Sequence, residues 1–302
     1  MASKLSLFIR LSRPLFLLGA VLLYGFGVGI ARFLGTSIDW SLYLLGQGIV
    51  TTLLLSAHYL NEFYDAPSDV ENNNRTSFSG VSGAIGPGKL TRNTALVAAA
   101  TSLTLMTSLS VLLLEQVNFS PLIVIILILS FLGAFFYSTP PIRLASSGYG
   151  ELTTSILVSN LVPAFAFILQ FGEFHRLIAM STFPLTALHL AMMLIFELPD
   201  YATDIKYGKQ NLLLRLGWQQ AMGFHNLLIL SGFLLLAMAI GFGLPLAIAL
   251  PAFLPLPLGL FQIWQMRRIA SGAKPNWTAM GLTAVVLFSS TAYLLAFAFW
   301  TR

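Results

Sequence analysis

Long apolar runs separated by short polar stretches organise this chain. With Gly and Pro tolerated inside them, they fall at 14–34, 42–63, 94–114, 121–138, 150–170, 180–197, 219–241, 244–264 and 278–299. Each approaches the ~20 residues that carry a helix across a bilayer core. Within lipid, only a structure that pairs its own backbone groups survives, and runs of this length do so as helices. The pattern therefore predicts nine spanning helices joined mostly by short loops. Pro245, Pro251, Pro255 and Pro257 crowd the eighth run, which predicts a kink or a shift of a few residues there. No Pro/Gly/Ser linker divides the chain, so residues 1–302 read as a single integral-membrane domain. The start is basic, but the first run is too long for a cleaved leader and lacks a small-x-small exit, so it reads as a retained helix.

Composition agrees with the pattern. The chain is 57% hydrophobic and 9% charged, against about 25% charged in a soluble domain. The fold class is all-α, a polytopic helical bundle. There are no cysteines, which removes disulfides, thiolate zinc sites and a cysteine nucleophile. The net charge of +5 does not call for nucleic acid, because the loops explain it. With nine spans, thirteen of the 16 Lys and Arg fall on the side of the N-terminus, and Arg32, Arg176 and Arg302 on the other. Positive residues collect in the cytoplasm. That places the N-terminus and the acidic segments described next in the cytoplasm of a cell inner membrane, and the C-terminus opposite.

The acids carry the chemistry. Of 11 Asp and Glu, seven lie in two short segments: Glu62, Asp65, Asp69 and Glu71, then Glu197, Asp200 and Asp204. Both segments end a span, the second and the sixth, on one side of the membrane. If the second helix continues outward, Asn61, Asp65 and Asp69 share a face, about 6 Å apart at each step. Asp200 and Asp204 repeat the arrangement, and Pro67 and Pro199 predict bends. Glu62-x-x-Asp65-x-x-x-Asp69 also matches Glu197-x-x-Asp200-x-x-x-Asp204 in spacing, which reads as a parallel internal repeat, as convergence on one metal geometry, or as coincidence. Carboxylates this close repel unless cations lie among them. Magnesium suits them, since it is commonly held by one or two carboxylates together with substrate phosphates. The alternative is solvated loop acids paired with neighbouring Lys and Arg.

Basic groups lie on the same side. Lys206 and Lys209 follow Asp204, Arg143 sits after the fourth run, and Arg75, Lys89 and Arg92 flank the loop after the first segment. Such donors would neutralise a metal-bridged diphosphate; singly, each also fits an ordinary positive-inside residue. The loop 76–88 is rich in Gly and Ser, and reads as an anion cradle, a lid or a connector. The four histidines are scattered. His58 shares a face with Asn61 and Asp65, and reads either as a bundle histidine or as part of the site. Phe63, Tyr64, Tyr137 and Tyr201 lie near the acidic segments and could face a carbocation or simply pack. No nucleophile elbow or phosphate-loop lysine motif is present.

Asn61-x-x-x-Asp65-x-x-x-Asp69 with Asp200-x-x-x-Asp204-x-x-x-Gly208 resembles the paired aspartate motifs of the UbiA superfamily of intramembrane prenyltransferases. Arg13-Pro14 at the entry to the first run and the nine spans extend the likeness over nearly the whole chain. Within that superfamily, Ser79–Gly83, Tyr137-Ser-Thr-Pro-Pro141, Glu197-Leu-Pro-Asp200-Tyr201 and Gly208-Lys209-Gln-Asn-Leu212 look most like the 1,4-dihydroxy-2-naphthoate prenyltransferases of menaquinone synthesis, the MenA branch. The resemblance implies a bundle around a cavity open sideways to lipid. It implies that Asn61, Asp65, Asp69, Asp200 and Asp204 hold Mg²⁺, two ions, and the diphosphate of a polyprenyl donor. Lys206, Lys209, Arg143 and Arg75 are the candidates for the diphosphate. Tyr137, His58, Arg13 and Tyr201 are those for the cavity that takes the prenyl chain and an aromatic acceptor. The chain departs from the family where a Tyr-x-x-x-Lys motif is common: four residues after Tyr137 stands Pro141, and Arg143 is the available cation. Asn211 stands where Thr is frequent. Other acceptors stay open, namely other quinone precursors, homogentisate, chlorophyllide, haem and a glycerol-phosphate lipid. A cation or proton transporter is the non-enzyme alternative, since intramembrane acids also mark transport paths.

Overall fold

The computed structural model describes residues 3–69, 76, 78 and 82–302, with the backbone alone for 66–69. Among these residues, nine helices are long and apolar enough to cross a membrane: Pro14–Phe33, Trp40–Asp65, Arg92–Gln116, Pro121–Ser138, Gly150–Phe171, Arg176–Lys206, Trp218–Gly241, Leu246–Ala270 and Trp277–Thr301. Every predicted run corresponds to one of them. The protein is an integral membrane protein. Leu18, Leu44, Val97, Ile125, Leu234, Leu254 and Phe297 stand exposed on the outside of the bundle, as hydrocarbon-facing side chains should.

Several spans are broken, each for a readable reason. The second continues as helix past Pro67 to Asp69. The fifth passes through a π-helical turn at Leu157–Leu161, immediately before Pro163. Pro163 has no N–H to give to the ladder, and the wider turn absorbs that. The sixth tightens to a 3₁₀ turn over Leu198–Asp200, around Pro199, then resumes as helix Tyr201–Lys206. The eighth starts as Leu246–Ala249, passes a 3₁₀ turn at Leu250–Phe253 and continues as Leu256–Ala270. The prolines expected to disturb it lie at these junctions.

The sixth span is the most buried, packed by the fifth, seventh and ninth. The first span packs on the second, fifth and ninth. Little hydrophobic force draws helices together in lipid, so close backbone approach has to do it. Gly25, Gly27 and Gly29 supply that on the first span. A Cβ at Gly27 would overlap the carbonyl of Pro163, and one at Gly29 would meet the Trp300 ring. The Trp300 indole N–H donates to the carbonyl of Gly25 at 2.7 Å. Buried hydroxyls and amides add polar links between spans. Asn160 in the π turn accepts from Thr182 Oγ1 at 2.7 Å and donates to Thr186.

A short helix, Lys4–Leu11, precedes the first span and was not anticipated. Ser3 caps it by accepting the Ser6 N–H at 3.1 Å. It buries Leu7 and Leu11 against Tyr59, Leu60, Ala84, Leu90, Ala95 and Ala99. It therefore lies across the same end of the bundle as the acidic segments. Arg13, in the left-handed region at φ 50°, turns the chain from this helix into the first span.

Gly27→Leu should cost about 1–3 kcal/mol, the usual range for overpacking a filled site. Gly35→Ala, in an open loop, should cost less despite its positive φ. Unfolding of the two purified variants in mixed micelles measures the difference, and equal stabilities would contradict the close contact.

Candidate active site

The second and sixth spans both present acids at their C-terminal ends. This opposes the helix dipole, whose negative end lies there. Something cationic must compensate, and the fold supplies it from the loop after the sixth span. Gly208 adopts φ 66°, a left-handed position that suits glycine. The Gly208 N–H donates to the carbonyl of Ile205 at 3.1 Å and the Lys209 N–H to that of Asp204 at 3.0 Å. The chain thus turns back on the helix it has just left. The Lys209 ammonium ends between the two motifs, 3.3 Å from Asp65 Oδ2 and 3.5 Å from Asp204 Oδ1. It links the two acidic segments.

Around this bridge the first motif is ordered by Asn61. Its Nδ2 donates to Asp65 Oδ2 at 3.1 Å and to Ser138 Oγ at 3.3 Å. Ser138 ends the fourth span, so Asn61 ties two spans at the site. Arg143, in the left-handed region at φ 45°, brings Nη2 to 3.9 Å from Asp65 Oδ1. Its side chain is 43% exposed, so this is a long, solvent-screened pairing. Tyr137, half-buried, directly precedes Ser138 at the end of the fourth span.

The second motif is ordered by Asn211. Its Nδ2 donates to Asp204 Oδ2 and to Glu197 Oε2, both at 2.8 Å. Asp204 and Asp200 are buried. Asp200 lies in the 3₁₀ turn between Glu197 and Asp204. Glu151 enters this cluster from the first turn of the fifth span. It is buried and accepts the Leu212 N–H at 2.7 Å. Arg215 approaches the same place and lies over the Tyr149 ring, 4.9 Å from its centroid. It fits because Gly148 has no Cβ to meet it.

Other candidates are placed elsewhere. Glu62, fully buried, takes Arg13 Nη2 at 2.9 Å and the Ser82 hydroxyl at 2.9 Å, together with the Ser82 N–H. Arg13 is thus committed to Glu62 at the entry to the first span. His58 Nδ1 lies 3.3 Å from the carbonyl of Ser12, with its ring edge-on to Phe16. Tyr201 packs on Trp218, with 5.2 Å between ring centroids. Lys206 is exposed and lies over the Tyr207 ring at 5.7 Å. Arg92, exposed at the start of the third span, donates to the carbonyl of Phe63 at 3.0 Å. The side chain of Asp69, and Arg75 and Glu71 altogether, lie outside the described residues.

Glu151 is the site residue that sequence reasoning passed over. A signal existed. Four acids lie outside the two segments: Asp39, Glu115, Glu151 and Glu173. Glu115 and Glu173 are exposed, and Asp39 accepts the Ser41 and Leu42 N–H groups at the start of the second span. Glu151 alone among them heads an apolar run with no such duty in sight. An acid there has to be buried with a purpose.

Comparison with known proteins follows the same lines. The sequence model described as the UbiA prenyltransferase family matches residues 22–285. No curated protein matches the chain closely enough to count as a relative. Among solved structures, a UbiA homolog from Archaeoglobus fulgidus bound to GPP and Mg²⁺ is 19% identical. It superposes with a TM-score of 0.66, and the match covers 99% of this chain and 100% of that one. A digeranylgeranylglyceryl phosphate synthase is 16% identical, with a TM-score of 0.60 and coverage of 99% and 98%. The apo structure of a UbiA homolog from Aeropyrum pernix K1 is 14% identical, with a TM-score of 0.60 and coverage of 92% and 96%.

Lys209→Met should cost about 1.5–3 kcal/mol in metal-free protein, the range for a hydrogen bond to a charged partner. Adding Asp65→Asn should recover part of it, because the abandoned carboxylates then repel less. Unfolding of the single and double variants in chelator gives the coupling, and strict additivity would argue against the bridge.

Proposed function

The chain belongs to the UbiA prenyltransferase family, and from that premise we propose that it transfers a polyprenyl group from a prenyl diphosphate to an aromatic acceptor, 1,4-dihydroxy-2-naphthoate. One observation carries the reading of the site: two acidic segments far apart in sequence meet at one end of the bundle, joined by Lys209. The choice of acceptor is supported by the four MenA-like stretches. Ser82, Glu197, Lys209 and Asn211, which belong to them, all lie in or touch the acidic segments.

The donor set fits a hard divalent cation. Asp65, Asp200, Asp204 and the carbonyl oxygen of Asn61 are oxygen ligands, as Mg²⁺ requires. The carboxylates crowd at helix C-termini, where a cation is favoured. Glu151 Oε2, buried nearby, has no hydrogen-bond partner among the described residues. We assign Asn61, Asp65, Asp69, Asp200 and Asp204 to the metal and the diphosphate, the role their motif has in the family. When bound by these residues, Mg²⁺ would supply positive charge against the charge that develops on the diphosphate as the allylic C–O bond breaks.

The chain's own residues do the rest. Lys209 can turn one N–H to a diphosphate oxygen while keeping an aspartate, since an ammonium has three donors. Arg143 and the exposed Lys206 add positive charge for the leaving group, and Arg75, outside the described residues, is assigned the same role. Tyr137, half-buried at the end of the fourth span, is the aromatic residue assigned to shield an allylic cation from water. The acceptor ring carbon then bonds the allylic carbon, diphosphate leaves with the bonding electrons, and the adduct loses carbon dioxide as it regains aromaticity.

We further propose that the acidic end faces the cytoplasm, on the strength of the thirteen-to-three division of Lys and Arg. The absence of cysteine makes a direct check simple. In intact cells, a membrane-impermeant thiol reagent should label Glu173→Cys and spare Lys274→Cys; the reverse pattern overturns the orientation.

Asp65→Ala and Asp200→Ala should each lower turnover by about 10²–10³-fold or more, the scale of losing one electrostatic stabiliser, while the protein still inserts and folds. Purified variants, Mg²⁺ and a labelled prenyl diphosphate test this. The same assay with dihydroxynaphthoate, homogentisate, other quinone precursors, chlorophyllide, haem and a glycerol-phosphate lipid tests the acceptor. Product with another acceptor and none with dihydroxynaphthoate rejects the naphthoate assignment and leaves the prenyl transfer standing. Near-wild-type turnover in either alanine variant overturns the site.

A further inference from the structure

Glu151 takes no part in the reaction just described, yet it is 2% exposed and sits beside the second motif. Its position in the first turn of the fifth span explains how a buried carboxylate is tolerated, because a helix N-terminus favours negative charge. What it holds is specific. The Leu212 N–H, which it accepts at 2.7 Å, opens the short helix Leu212–Leu216. The residue before it, Asn211, caps that helix: its Oδ1 accepts the Leu214 N–H at 2.9 Å. With the oxygen so used, both N–H bonds of the Asn211 amide are directed at carboxylates, one to Glu197 Oε2 and one to Asp204 Oδ2. One peptide step, 211–212, is therefore pinned from the fifth span by its backbone and pins two acids of the sixth span by its side chain.

We propose that Glu151 is a positioning residue for the second acidic segment. By holding the Leu212 amide it places the Asn211 side chain between Glu197 and Asp204, and so fixes Asp204 with Oδ2 held by Asn211 and with Oδ1, which faces the Lys209 ammonium, as the oxygen it presents to a divalent cation. The proposal rests on the cation-binding reading of the motifs given above. Its physical basis is ordinary. A buried N–H that loses its acceptor is costly, so the loop would shift to find another. Partners one layer behind a metal ligand commonly set the ligand's aim. Glu62 serves the first motif in a parallel way, taking the backbone and side chain of Ser82. It also takes Arg13, so it is less cleanly tested.

The test uses the full chain in detergent. Mn²⁺ binding is followed by loss of the free-ion paramagnetic resonance signal, and hydrogen exchange is followed in peptides that span 207–216. E151A should weaken Mn²⁺ binding by about 10–100-fold, the usual effect of losing such a partner, and should speed exchange at Leu212. E151Q keeps an oxygen that accepts the Leu212 N–H, so it should stay near wild type in both. N211A should weaken Mn²⁺ binding while Leu212 stays protected. The proposal is overturned if E151A leaves both readouts unchanged. It is also overturned if E151Q loses as much affinity as E151A, because the charge rather than the acceptor would then matter. Should wild-type protein bind no Mn²⁺, the cation reading of the motifs fails, and exchange alone decides the positioning role: faster exchange in E151A only supports it, equal exchange overturns it. Should E151A fail to fold, E151Q and N211A decide: wild-type Mn²⁺ binding in N211A would overturn the proposal.

Discussion

Two carboxylates from spans distant in sequence share one ammonium, and the functional end of the protein depends on that arrangement. Asp65 and Asp204 stand at helix ends where the backbone already presents partial negative charge. Their mutual repulsion, in surroundings less polar than water, would push the second and sixth spans apart. Lys209 holds them within hydrogen-bonding distance of one atom. Its position in turn depends on the left-handed turn at Gly208. Among the described residues Lys209, with Arg143 further off, balances these carboxylates by monovalent charge alone, a role that a divalent cation could take over.

The remaining buried acids do a different job. Glu62, Glu151 and Glu197 each accept a hydrogen bond from a loop or a loop-borne side chain: Ser82, Leu212 and Asn211. They act as anchors that bring loops onto the helix ends. This divides a cluster that looks uniform in sequence. Asp65 and Asp204, with short side chains, meet at the Lys209 ammonium. Glutamates, one methylene longer, reach past it to the surrounding chain.

The bundle beneath gives these contacts a rigid base. Helices in lipid gain little from hydrophobic burial against each other, so backbone proximity and interhelical hydrogen bonds carry more of the association. Gly27 against Pro163, Trp300 against Gly25, and Asn160 with Thr182 and Thr186 are such links. They join the first span to the fifth and ninth, and the fifth to the sixth. The fifth span thereby carries Glu151 to the second motif in a fixed register.

The sequence by itself determined the nine spans, because lipid allows a long apolar run almost no other structure, and even the proline-broken eighth run kept its place. It also determined that both acidic segments share one side, because spans alternate in direction. Their chemical kind was legible from residue type and spacing. Which side chains meet was not. Nothing in the one-dimensional pattern says that Lys209, rather than Lys206 three residues earlier, turns inward; the backbone turn at Gly208 decides it. Nothing says that Arg13 is taken by Glu62, or that Glu151, some fifty residues before Asp204, stands behind it. Those pairings come from helix packing, which sets the neighbours of each loop. Hydrophobic periodicity reports only each helix's relation to lipid, so contacts between loops at the ends of the bundle had to wait for the tertiary structure.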